Sequence, residues 1–121
     1  MLTVSKAGMR IKTSFKSKKR DLIREVKNHA SWKNDISLCE IAALLDGQSC
    51  FTYVLSQGMD ESHFFLSFVD SDQIVKHKNV RVLIDQGSWV VKNGQGITYD
   101  AISELIPGCL HCSSTICKAL I

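Results

Sequence analysis

No stretch of this chain approaches the ~18 consecutive apolar residues that a helical membrane span needs. The opening run MLTVSKAGMRIKTSFKSKKR also lacks the apolar core of a secretory signal, which argues against the classical export route and for a cytoplasmic setting. Cysteine is too sparse and too unevenly spread for a disulfide framework. There are five, an odd number, and Cys109, Cys112 and Cys117 crowd one end. The thiols read as small apolar side chains in a reducing compartment. Glycine-rich phosphate loops, a nucleophile elbow and paired catalytic carboxylates are all missing, so the sequence reads as a non-enzyme with no catalytic residue and no cofactor.

Metal binding meets a similar shortage. Cys109-Leu110-His111-Cys112 with Cys117 gathers three thiols and an imidazole in nine residues. Structural zinc sites usually join two separated pairs, and the second pair is absent. A redox Cys-x-x-Cys normally opens a helix after a strand, whereas Pro107-Gly108 here reads as the end of one. No metal is therefore assigned.

What the chain does have is the make-up of one globular domain. Its 121 residues, 45% hydrophobic and 22% charged, suffice to bury a core without staples. Charge is distributed asymmetrically. Residues 1–31 carry nine basic and two acidic side chains, a net +7, while residues 32–121 carry six and ten, a net −4. The expected division is a basic segment at 1–31 and a domain at 32–121. Residues 1–17 are polar and aperiodic and read as mobile. From Lys18 to Ala30, Leu22, Ile23, Val26 and Ala30 recur at helical spacing among Lys18, Lys19, Arg20, Arg24 and Lys27. This is a basic amphipathic helix, read as docking through its apolar stripe. Contact with nucleic acid or an anionic surface is the alternative.

A second helix is expected over 32–47, capped by Asp35 or Ser37, with Ile41, Leu44 and Leu45 as its stripe and Asp46-Gly47 as its end. The period then changes to two. Strands are expected at Phe51–Leu55, His63–Val69, Ile74–Ile84 and Ser88–Val91, separated by short turns, hence an antiparallel meander with a doubly covered first strand. Tyr99–Ile106 reads as a closing helix that Pro107-Gly108 stops. The expected fold class is α+β: a central antiparallel sheet flanked by two helices, with an extra basic helix at the N-terminus.

Several residues narrow this further. Trp32, Ile36-Ser37, Ala42 and Leu44-Leu45 come first, then Thr52-Tyr53-Val54-Leu55, then Phe64-Phe65-Leu66-Ser67-Phe68. Val75-Lys76-His77, Val80, Gly87-Ser88-Trp89-Val90, and Tyr99, Ile102, Leu105 and Ile106 follow in order. The series resembles the Src-homology-2 (SH2) family, and is most similar to divergent members found among bacterial effectors that act inside host cells after non-classical delivery. The resemblance implies an adaptor-like module that binds phosphotyrosine in a partner protein. The phosphate would be gripped bidentately by the Arg that ends the second-strand motif.

This chain departs from that pattern. Ser56 stands where the signature Arg would be, Leu38 where many members carry a second Arg, and Asn79 where a Lys is common. The loop 57–62 brings Asp60 and Glu61 toward any incoming anion. By resemblance the pocket is formed by Leu38, Ser56, Ser62, Phe65, His77, Lys78 and Asn79. The expected partner is a phosphotyrosine-containing or unphosphorylated peptide segment, with phosphate binding weakened or lost as in a pseudo-domain.

Overall fold

The computed structural model describes residues 18–112 and 116–121, so the expectation for residues 1–17 lies outside the described residues. Residues 18–27 form helix α1. Leu22 and Val26, one turn apart, are buried in the main core, and Ile23 packs against it. Lys18, Arg20, Arg24 and Lys27 are exposed. The helix stops earlier than the expected Ala30. His29 Nδ1 accepts the Ser31 N–H at 3.1 Å and lies 2.8 Å from Ser31 Oγ, which turns the chain into a strand.

That strand, β1 (Trp32–Lys33), corrects the expected helix over 32–47. It runs parallel to β2 (Thr52–Gln57), with Trp32 opposite Leu55 and Lys33 opposite Ser56. Asp35 takes a left-handed φ of 49°, so the helix cannot begin before it. Ser37 is the cap instead. Its Oγ accepts the Glu40 N–H at 3.1 Å, and the Glu40 carboxylate accepts the Ser37 N–H in return. Helix α2 (Leu38–Leu45) buries Ile41 and Leu45 but leaves Leu44 44% exposed, so Leu44 is not part of the stripe. Gly47 has φ 80°, as its position after the helix requires.

Strands β2, β3 (His63–Val69), β4 (Val75–Asp85), β5 (Ser88–Lys92) and β6 (Thr98–Tyr99) form the antiparallel meander. β2 is covered on both faces, as its apolar sequence indicated. The short strands β1, β6 and β7 (Lys118–Ala119) carry too little periodicity to be seen in sequence. β7 pairs parallel with Thr52 and Tyr53, and β1 pairs parallel with the other end of β2.

The closing helix α3 is Ile102–Leu110, not Tyr99–Ile106. Pro107 lies inside it, forgoing a hydrogen bond to the carbonyl of Ser103, an exposed residue. The cost of that break is offset by burying Ile102, Leu105, Ile106, Cys109 and Leu110. The helix ends instead at His111 in the left-handed conformation, φ 55°, whose N–H reaches the Pro107 carbonyl. Gly108 serves packing, not termination, because a Cβ there would lie 2.6 Å from the Tyr99 ring. α1 and α3 cover one face of the sheet around the larger core. α2 covers the other with Ile41, Leu45, Val54 and Val69.

Candidate functional site

Strand alternation decides which candidate residues can act together. The register sets Ser56 opposite Phe65 and Phe65 opposite Asn79, while Ser67 faces His77. These five share the α2 face of the sheet. Leu38, the first residue of α2, packs against the small core beside them. Lys78 does not join them. It pairs with Leu66 and lines a cavity of about 200 Å³ on the α3 face with Lys76, Phe68, Gln95, Leu110 and His111. Ser62 is also elsewhere, in a cleft with Lys19, Arg81 and Trp89. Lys78 departs from the expected grouping because it is one residue from His77 in a strand, where parity sets the face. Ser62 departs because it lies in the turn before β3, which folds back on Asp60.

Ser56 is 1% exposed, and its Oγ has no hydrogen-bond partner among the described residues. Its backbone is held between β1 and β3. Ser67 is fully buried, and its Oγ lies 2.6 Å from His77 Nδ1. Partial desolvation holds the His77 pKa below the ordinary histidine value, so the ring prefers to be neutral. The nearest cations in register are Lys33, opposite Ser56, and Arg81, opposite His63. Neither follows from the motif resemblance. Lys33 could have been recognised only by seeing that Trp32-Lys33 is a strand.

The 57–62 loop is folded onto itself. Asp60 Oδ1 accepts the Ser62 N–H at 2.8 Å and meets His63 Nδ1 at 2.7 Å. The contact with His63 and the Ser62 N–H hold the Asp60 carboxyl below its usual pKa. The Gly58 N–H donates to the His63 carbonyl at 2.9 Å, and Gln57 Nε2 donates to the Asp60 and His63 carbonyls. Two backbone amides that could cradle an anion, those of Gly58 and Ser62, are thus already used. Gly58 also has no room for a side chain, since a Cβ would meet the His63 carbonyl at 2.6 Å.

On the α3 face, Lys76 Nζ pairs with Asp70 Oδ2 at 3.1 Å. Asp70 Oδ1 accepts the N–H groups of Asp72 and Ile74, so this carboxylate also lies below its usual pKa, the Ile74 N–H contributing most. Burial pushes the Cys109 thiol up. Cys117 is pushed up to about 12, by burial first and then by its hydrogen bond to Cys112 and the nearby Cys112 charge. Among the described residues, no group of three His, Cys, Asp or Glu side chains is arranged to hold a metal ion. No helix among them is long and apolar enough to cross a membrane.

The fold as a whole superposes on solved structures. CED-2 superposes with a TM-score of 0.55 at 17% identity, over 74% of this chain and 57% of that one. The solution structure of the SH2 domain of a Monosiga brevicollis CRK/CRKL homolog superposes with a TM-score of 0.54 at 12% identity, over 77% of this chain and 84% of that one. The fold is SH2-like. This chain spans only 57% of the CED-2 chain. No protein-family model matches the sequence, and no curated protein is similar to it in sequence.

Proposed function

We propose that this chain is an SH2-type protein-interaction module that takes an extended peptide of a partner across β4, and that its grip on phosphate is weakened or lost. One observation carries the reading. By the residue resemblance Ser56 takes the position of the signature Arg, and it is sealed at 1% exposure with no hydrogen-bond partner for its hydroxyl among the described residues. A bidentate guanidinium supplies charge-assisted hydrogen bonds of roughly 1.5–3 kcal/mol each. Its loss weakens phosphate binding by about 10²-fold or more. His77 is a poor replacement, since it prefers to be neutral and its Nδ1 is engaged by Ser67. Lys33 is the cation best situated for any residual attraction. With the phosphate seat reduced, selectivity falls to the cavity on the α3 face, where Lys78 and His111 flank Phe68 and Leu110.

Binding is favoured over catalysis for a geometric reason. Among the described residues, the close serine–histidine pair on this face, Ser67 with His77, has its hydroxyl fully buried, out of reach of a substrate. The residue resemblance further supports an effector-type origin and a cytoplasmic site of action.

Titration calorimetry with phosphotyrosine peptides and their unphosphorylated versions, on the natural chain and on Ser56→Arg, tests the reading. The expected result is little or no preference for phosphate in the natural chain and a restored preference in Ser56→Arg. Selective micromolar binding of phosphopeptide by the natural chain would overturn the loss. Failure of both proteins to bind any peptide would overturn the module itself.

A further inference from the structure

β4 outruns its neighbour. The β3–β4 ladder ends with His63 opposite Arg81, yet β4 continues to Asp85, paired there only with β5. Beyond Arg81, the bond on the β3 side among the described residues is Val82 N–H to the Ser62 carbonyl at 2.8 Å. Backbone polar groups alternate sides along a strand, so Ile84 turns the next N–H and C=O toward that edge. Ile84 is also 49% exposed.

A cleft of about 430 Å³ runs along this edge. It is lined by residues 81–84 in succession, with Lys19, Ser62 and Trp89. A cavity that touches four consecutive strand residues follows the strand's edge, since either face alone would offer only alternate ones. Its walls combine aliphatic side chains with two cations, Lys19 and Arg81. Lys19 Nζ lies 5.5 Å from the Trp89 ring centroid, and the Trp89 Nε1 donor is buried without a hydrogen-bond partner among the described residues. The carboxylates nearby are Asp60, which weakly attracts Arg81, the Arg81 charge being the smallest of the effects that lower the Asp60 pKa, and Asp85 at the strand end. Exposed Lys18 and Arg20 on α1 add to the positive field.

We propose that the edge of β4 at residues 82–85 docks an extended acidic segment of a partner protein, added as a further strand with its Asp or Glu side chains toward Lys19 and Arg81. Backbone pairing gives the affinity, and the two cations with the Ile84 and Trp89 surfaces select an alternating acidic and aliphatic sequence. The site is separate from the peptide path proposed above and does not depend on it. A strand edge left unpaired, as this one is among the described residues, recruits strands readily.

The test uses the full isotope-labelled chain, NMR chemical shifts and amide exchange. The probes are three blocked five-residue peptides: alternating Glu and Val, alternating Lys and Val, and the Glu–Val peptide N-methylated at alternate residues. The Glu–Val peptide is expected to shift the amides of residues 82–85 and slow exchange at Ile84. The Lys–Val and N-methylated peptides should bind about tenfold more weakly or worse, through lost charge pairing and lost backbone bonds. A Lys19→Glu, Arg81→Glu double variant, changed only at side chains outside the core, should lose a similar factor. Shifts confined to other residues, or equal binding of the Glu–Val and Lys–Val peptides, would overturn the proposal. So would an Ile84 amide that exchanges slowly in the chain alone, because the edge would then already be covered by this chain or a second copy.

Discussion

Two serines on neighbouring strands, facing the same side, should respond to alanine in opposite directions. Ser56 is 1% exposed and its hydroxyl has no partner among the described residues, whereas Ser67 is fully buried with its hydroxyl 2.6 Å from His77 Nδ1. A buried polar group left unsatisfied costs about 1–3 kcal/mol. Ser56→Ala removes that cost. It leaves a void of one oxygen, roughly 10 Å³, worth about 0.2–0.3 kcal/mol at the measured cavity coefficient, and it exchanges two residues of modest strand preference. The net expectation is stabilisation by about 1 kcal/mol, a rise of about 4 °C in melting temperature for a domain of this size. Ser67→Ala deletes a made hydrogen bond and should destabilise by about 1 kcal/mol. Urea and thermal unfolding of both variants against the natural chain provide the assay. If Ser56→Ala destabilises, or both variants move the same way, the hydroxyl of Ser56 has a partner and the argument for a sealed phosphate seat fails. A stabilising Ser56→Ala would also mean that a polar group is kept at a position where folding alone favours its removal, which is the usual mark of a site retained from a binding role.

Four further outcomes are expected. Leu22→Ala should cost about 2–3 kcal/mol, because Leu22 is buried in the main core; unchanged stability would detach α1 from the folding unit, which we propose begins near residue 18. Gly58→Ala should destabilise by about 1–3 kcal/mol, since its Cβ would strike the His63 carbonyl at 2.6 Å, and a neutral result in urea would show that the loop can yield. His77 and His29 both titrate below 6.5 because of desolvation, Glu25 partly opposing the shift at His29. The unfolded chain therefore binds more protons, so their stabilising contribution is complete above 6.5 and is lost as pH falls below it. His77→Gln should flatten that decline, and an identical pH profile would refute the assignment. If any phosphate preference is detected by calorimetry, Lys33→Glu should abolish it while leaving unphosphorylated binding intact; persistence of the preference would remove Lys33 from the site.

The long strands were legible in the sequence because each is set by two-residue alternation over six or more positions, and β3 falls on the expected His63–Val69. The two-residue strands were not, because their stability comes from pairing with β2 and leaves no pattern of their own. Pro107-Gly108 misled for a related reason. Local punctuation says stop, but five buried side chains and the Tyr99 ring over Gly108 outweigh it. The site divides along the same line. The resemblance brings Ser56, Phe65, His77 and Asn79 to one face, and the register agrees. It also groups Lys78 with His77 because they are adjacent in sequence, and in a strand adjacency means opposite faces. Reading parity first would have sent Lys78 to the α3-side cavity and brought Ser67 in beside His77. What parity could not supply is Lys33, whose place opposite Ser56 depends on a parallel pairing made across twenty-two residues of intervening chain. The functional consequence follows from that geometry. On the face that resembles a phosphate pocket, the cations in register are Lys33, opposite Ser56 on a peripheral strand, and Arg81, opposite His63 at the end of the ladder, and a serine stands where the resemblance puts the guanidinium. On the proposed function, a peptide that binds here is recognised mainly by its backbone and by the side chains it presents to the opposite face.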